Sequence, residues 1–194
     1  MKTYTQKELD QICATFTGWL YDYSDRFLYA TLKEVENREN IPQDYICSQT
    51  PCQEWYKKFG KGFQKILSKY DPEKIKKARV EIGHYLAFVA LEFVENYFSN
   101  KEQKKYFVDK IKRKTVESDK EIGVRPNSDI FLKYINAENH IQRFSHDMVV
   151  ILGKRSAILQ FRITAQFYSF FKHTLPIFVK AIFEGDLRYI DTRQ

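Results

Sequence analysis

Residues 5–39 read TQKELDQICATFTGWLYDYSDRFLYATLKEVENRE, and the fold class turns on how the apolar positions fall within them. Leu9, Ile12, Cys13, Phe16, Trp19, Leu20, Tyr23, Phe27, Leu28, Leu32 and Val35 recur at steps of three and four. Those steps gather side chains on one stripe of an α-helix, whereas a half-buried strand alternates every second residue. Thr5 and Glu8 have the spacing of a capping box, which starts the helix at Thr5. The pattern predicts a helix to about Glu39, roughly 50 Å long at 1.5 Å per residue. A helix of that length is the spine of a bundle. Gly18, beside Trp19, leaves room for another helix to approach.

Working outward, Thr50 and Pro51 supply an N-cap and a first helical residue. The helix they open carries Trp55, Tyr56, Phe59, Phe63, Ile66, Leu67 and Tyr70 on one side. Asp71-Pro72 repeats the start signal, and a third helix follows to about Ser99. Ala90, Leu91 and Val94 widen its apolar stripe, which predicts a central helix buried on more than one side. Asn100 opens a basic helix to about Val116. Ser118–Asn127 shows no periodicity, contains Gly123 and Pro126, and is expected to be a loop. It is the one place where a single helical domain spanning residues 1–194 would divide. A further helical region covers about Ser128–Leu152, with a break expected near Asn136–Asn139. The last helix is expected over Arg155–Glu184, with Gly185 as its C-cap and a split at Pro176. Only 7 glycines and 5 prolines punctuate the 194 residues, too few turns for a sandwich or barrel of short strands. The expectation is an all-α, antiparallel helical bundle of five to seven helices with a long N-terminal helix.

Three cysteines, Cys13, Cys47 and Cys52, make a poor disulfide framework, and no second pair or nearby histidine completes a zinc site. Reduced thiols, the absence of a signal-like N-terminus and the lack of an apolar run of about 18 residues point to a cytoplasmic, intracellular setting. Neither a metal nor a cofactor is expected.

The net charge of +7 is unevenly spread. Residues 1–55 carry a net −4, and residues 56–79 carry +7. Lys57, Lys61, Lys65 and Lys69 recur every four residues along the second helix, and Lys74, Lys76, Lys77 and Arg79 continue the basic run. Like charges at that spacing cost helix stability by a few tenths of a kcal/mol per pair. An acidic partner would offset the cost: nucleic acid, an acidic protein or an anionic membrane surface. Pairing with Glu34, Glu36 or Asp44 of the same chain would offset it too.

A second pattern is Arg79-Val80-Glu81-Ile82-Gly83-His84. An arginine followed by four residues and a histidine resembles the motif of the HEPN ribonucleases, a family of all-helical domains. That resemblance implies metal-independent RNA cleavage by Arg79 and His84, with the pair brought together partly by dimerisation. Val80 departs from the polar residue, often asparagine, that the family places after the arginine. The chemistry suits the residues, because an imidazole moves the 2′-hydroxyl proton and a guanidinium neutralises charge on the phosphate. Five steps along a helix do not place two side chains on one stripe, and a nuclease requires both exposed in one cleft. Burial of His84 among Tyr85 and Phe88 would remove that reading. Glu81 and His84 also match one half of a di-iron Glu-x-x-His site, but no second copy exists. His140, Arg143, His146 and Asp147 form a polar knot best read as structural, with Arg143 and Asp147 bridging four apart.

Three readings follow. The first is a non-enzymatic interaction or regulatory module that meets an acidic partner through the basic helix face. The second is a HEPN-like ribonuclease using Arg79 and His84. The third is a structural bundle, in which the long first helix and the many aromatics build a homo-oligomer.

Overall fold

A computed structural model of the chain describes residues 2–37, 52–123 and 131–185. The elements are α1 (Gln6–Asn37), α2 (Cys52–Leu67), α3 (Pro72–Phe93) with a 3-10 turn over Val94–Tyr97, α4 (Lys101–Glu121), the single turn α5 (Leu132–Ile135), α6 (His140–Ile151), α7 (Ala157–His173) and α8 (Leu175–Glu184). The described residues form an all-α bundle with a long first helix. Their one strand-like contact is an isolated bridge between Lys2 and Phe98.

The caps are where the side chains predict them. Thr5 N–H donates to Glu8 Oε2 at 2.7 Å and Glu8 N–H donates to Thr5 Oγ1 at 3.2 Å, closing the capping box. Asp71 Oδ1 accepts from Glu73 N–H at 2.8 Å ahead of Pro72. Asn100 accepts from Glu102 N–H, and Asn139 from Gln142 N–H, each satisfying an orphan donor of a first turn. Ser156 accepts from Leu159 N–H, so α7 opens just after Arg155. The final helical region splits at Thr174, and Pro176 sits in the first turn of α8, where its missing N–H costs nothing. Gly185 closes α8 with φ 74°, a left-handed value glycine adopts freely.

Two boundaries differ from expectation. α2 ends at Leu67, short of Asp71, so Lys69 and Tyr70 lie in the turn that follows it. α4 runs through Ser118 to Glu121, into the stretch expected to be loop, and ends at Gly123 with φ 71°. The rest of that stretch, Pro126 included, lies outside the described residues, as do Asp44, Cys47, Thr50 and Pro51.

α1 and α3 are the two central helices. Contacts between them run in opposite directions: Asp25 meets Arg79, and Ser24 lies against Gly83. α7 also opposes α1, with Tyr23 against Phe170 and Glu34 against Arg162. α2 and α4 run with α1: Tyr56 of α2 pairs with Asp25 and Lys69, just past its end, with Glu36, while α4 pairs Gln103 with Tyr4 and Lys110 with Asp10. The core between these helices is largely aromatic. Phe27 stacks on Phe167 with ring centroids 4.0 Å apart, and Tyr85 stacks on Phe144 at 4.2 Å. Ile82, Leu86, Ala87 and Ala90 of α3 are fully buried, as its wide stripe predicts. No helix among the described residues is long and apolar enough to cross a membrane.

Candidate functional site

Four helices enclose a cleft of about 230 Å³. α1 contributes Thr17, Leu20, Tyr21, Ser24 and Asp25; α3 contributes Arg79, Val80, Gly83 and His84; α4 contributes Thr115, Ser118 and Asp119, with Ile122 at its C-cap; α2 adds Tyr56. On each of the three long helices these positions recur at helical spacing, so the cleft is a seam between ordinary helix faces. Arg79 and His84 therefore line one cavity, contrary to the expectation drawn from their separation. Five residues subtend about 140° on a helix. The seam is wide enough for both, and Gly83 between them has no side chain to fill it. A Cβ at Gly83 would meet only Ser24 Oγ, at 3.6 Å.

His84 lines the cleft but is buried, short of the exposure that the nuclease reading requires; it lies away from Phe88, which packs toward Phe131, Tyr134 and His140. Its Nε2 lies 2.8 Å from Asp119 Oδ2 and 3.1 Å from Oδ1. A carboxylate only accepts, so Nε2 carries the proton and a neutral ring keeps its lone pair on Nδ1. Arg79 Nε stands 3.0 Å from Asp25 Oδ1, an ion pair in which the Nε–H itself makes no hydrogen bond. Tyr56 donates to the other oxygen of Asp25 at 2.5 Å. Burial, then the Asp25 charge beside it, pushes the Tyr56 phenol well above its ordinary value. Thr17, Ser24 and Thr115 each donate to the carbonyl four residues back, which turns hydroxyl lone pairs outward as acceptors.

Glu81 and His84 part company on α3. Glu81 turns to the other side, where it accepts from Tyr134 and pairs with Lys133, which also reaches Asp147. Arg143 joins Asp147 at 3.3 Å, and His140 Nδ1 meets Tyr85 Oη at 2.8 Å. No group of three or more His, Cys, Asp or Glu among the described residues is arranged to hold a metal ion.

A groove of about 540 Å³ adjoins the cleft, sharing Arg79 and Ile122 and adding Gln64, Ser68, Tyr70 and Lys76. The lysines divide around it. Lys57, Lys61 and Lys65 are exposed on the outer row of α2, and no ion pair reaches them among the described residues. Lys69 is exposed but pairs with Glu36 at 2.8 Å, the intrachain alternative to an acidic partner. Glu34 is committed elsewhere, to Arg162 and Gln166. On α3 the run splits: Lys76 turns into the groove beside Gly123, Lys74 lies against Gly153 at the end of α6, and Lys77 faces solvent. Asp119, Asp25 and Tyr56 are the site residues that sequence reasoning missed.

No protein-family model, curated protein or solved structure matches this chain, so the likeness to the HEPN motif stands on Arg79 and His84 alone.

Proposed function

We propose that the chain binds a polyanion, most naturally a nucleic-acid strand, along the outer row of α2. The observation that carries the reading is the row Lys57, Lys61 and Lys65: exposed, in register, and without an acidic partner among the described residues. Steps of four residues advance the ammonium groups by about 6 Å. That rise suits successive phosphates on an extended strand. The groove beside the row offers Gln64, Ser68 and Tyr70 to sugars and bases. Ammonium groups on a stripe read no sequence, so binding is expected to be tolerant of sequence and steep in salt. The test is anisotropy of labelled single-stranded RNA across a salt series. A folded Lys57→Gln/Lys61→Gln/Lys65→Gln variant should lose about 2 units of salt slope, roughly 0.7 for each phosphate contact. Adding Lys69→Gln should change little, since Glu36 already neutralises it. Unchanged affinity and slope in the triple variant would sink the reading.

A second reading, metal-independent RNA cleavage, is favoured by the cleft that Arg79, His84 and Asp119 line together. In it, His84 Nδ1 takes the 2′-hydroxyl proton, Asp119 holds the ring and supports the imidazolium, and Arg79 faces the phosphate in competition with Asp25. Cleavage in excess chelator, abolished by both Arg79→Ala and His84→Ala in folded protein, would establish it. Absence of cleavage by the wild-type protein would leave the binding reading alone.

A further inference from the structure

The outer face of α7 carries large apolar side chains with no cover among the described residues. Ile158, Phe161 and Tyr168 are 71%, 73% and 57% exposed. With Ala165 they recur at steps of three and four, so they form one ridge along the helix. The opposite face, through Leu159, Ile163, Phe167 and Phe170, fills the core and needs nothing from the ridge. Its charge setting is one-sided. From Met148 to Phe183 the chain has no Asp or Glu, while Lys154 and Arg155 stand exposed before the ridge and Lys172 stands exposed after it. None of these three cations has an ion pair among the described residues.

We propose that α7 docks on an anionic lipid bilayer, its ridge entering the headgroup boundary and its two cationic ends meeting lipid phosphates and carboxylates. The proposal is independent of the lysine row and of the cleft. A second copy is disfavoured by charge: any two-fold pairing of α7 with itself, parallel or antiparallel, sets a cationic end against a cationic end. A partner helix is disfavoured by area. An aromatic side chain has about 150–250 Å² to bury, so the ridge supplies a few hundred Å². A standard protein interface needs about 800 Å² on each side. An interfacial helix needs less, because apolar insertion and attraction to anionic headgroups add, each cation near such a surface contributing about five-fold in affinity. Aromatic knobs between basic ends are the side chains that such an interface accepts.

The experiment is co-sedimentation with vesicles of phosphatidylcholine alone and of phosphatidylcholine with about one third phosphatidylserine. Wild-type protein should partition at least ten-fold more strongly into the anionic vesicles. Ile158→Ser/Phe161→Ser, surface changes that leave the core intact, should lower that partition by at least ten-fold. Lys154→Gln/Arg155→Gln should remove most of the preference for anionic lipid. Circular dichroism confirms folding of each variant, and light scattering reports the oligomeric state. Three results would overturn the proposal: no wild-type partition into anionic vesicles, partition unchanged in the ridge variant, or a wild-type dimer that the ridge variant dissolves. Partition lost in Lys57→Gln/Lys61→Gln/Lys65→Gln and kept in the ridge variant would also overturn it, by moving the lipid contact to α2.

Discussion

The two sides of α3 make different use of the same materials. Toward α5 and α6, Glu81, Tyr85, Lys133, Tyr134, Asp147 and His140 close on one another, and stacked rings fill the remaining space. Toward α1 and α4, Arg79, His84, Asp25 and Asp119 also pair, yet a cavity of about 230 Å³ stays between them. Both sides hold acids, bases and hydroxyls. Packing separates them: Tyr85 and Phe88 plug one side, while Val80 and Gly83 leave the other open. Charged residues near a histidine are therefore a weak sign of chemistry. An unfilled volume that the charged residues face is a stronger one.

The largest expected effect is alkaline unfolding from the closed side. Burial first, and then neighbouring carboxylates, holds the phenols of Tyr85 and Tyr134 far above the ordinary 10.0. With folded-state values raised, their contribution to stability is complete below pH 10 and is lost as pH rises, because the unfolded chain releases protons that the folded chain keeps. A cooperative rise in tyrosinate absorbance should coincide with loss of helix by circular dichroism. Full tyrosinate absorbance with intact helicity would contradict the closed side as described.

Next in size is a pair of truncations. Tyr85→Ala removes a fully buried ring stacked on Phe144 and should cost about 3–5 kcal/mol in denaturant unfolding. Val80→Ala, on a half-buried residue at the cleft wall, should cost less than about 1 kcal/mol. Equal costs would erase the contrast between filled and open sides.

The smallest effect has the opposite sign. Gly83→Ala should stabilise by about 0.5–1 kcal/mol, because a mid-helix glycine is entropically costly and the new methyl meets only Ser24 Oγ at 3.6 Å. Gly62→Ala on α2 should destabilise, since the new Cβ would fall 2.7 Å from the Tyr29 hydroxyl. A rise in melting temperature for Gly83→Ala with a fall for Gly62→Ala would sharpen the distinction between a glycine that opens a cavity and one that admits a side chain.

The fold was legible in the sequence wherever apolar residues carried the helical period and a capping residue announced the ends. That covers the long α1, the starts at Asp71 and Asn100, the break near Asn136–Asn139, and the split at Pro176. It failed at the end of α4, and the failure hid part of the cleft. Phe107 and Ile111 mark the buried stripe of α4, but the stripe then continues as Thr115, Ser118, Asp119 and Ile122. A helix face turned toward a polar cavity loses its apolar signature, so the residues that build the site look like loop. Arg79 and His84 were visible as a motif. Their partners Asp25 and Asp119, 54 and 35 positions away, were not, because no local spacing links them.

The N-terminal helix also sets a schedule. Phe16 is covered by Phe107 of α4, and Phe27 by Phe167 of α7. A chain leaving a ribosome at about 5–20 residues per second completes α1 on the order of ten seconds before α7 appears. During that interval α2, α3 and α4 arrive to cover part of α1, but Tyr23 and Phe27 still lack the α7 rings that bury them. The spine of the bundle precedes α7 by more than a hundred residues yet is covered fully only when α7 arrives, so newly made chains are most exposed to aggregation, and most dependent on chaperones, before α7 has emerged.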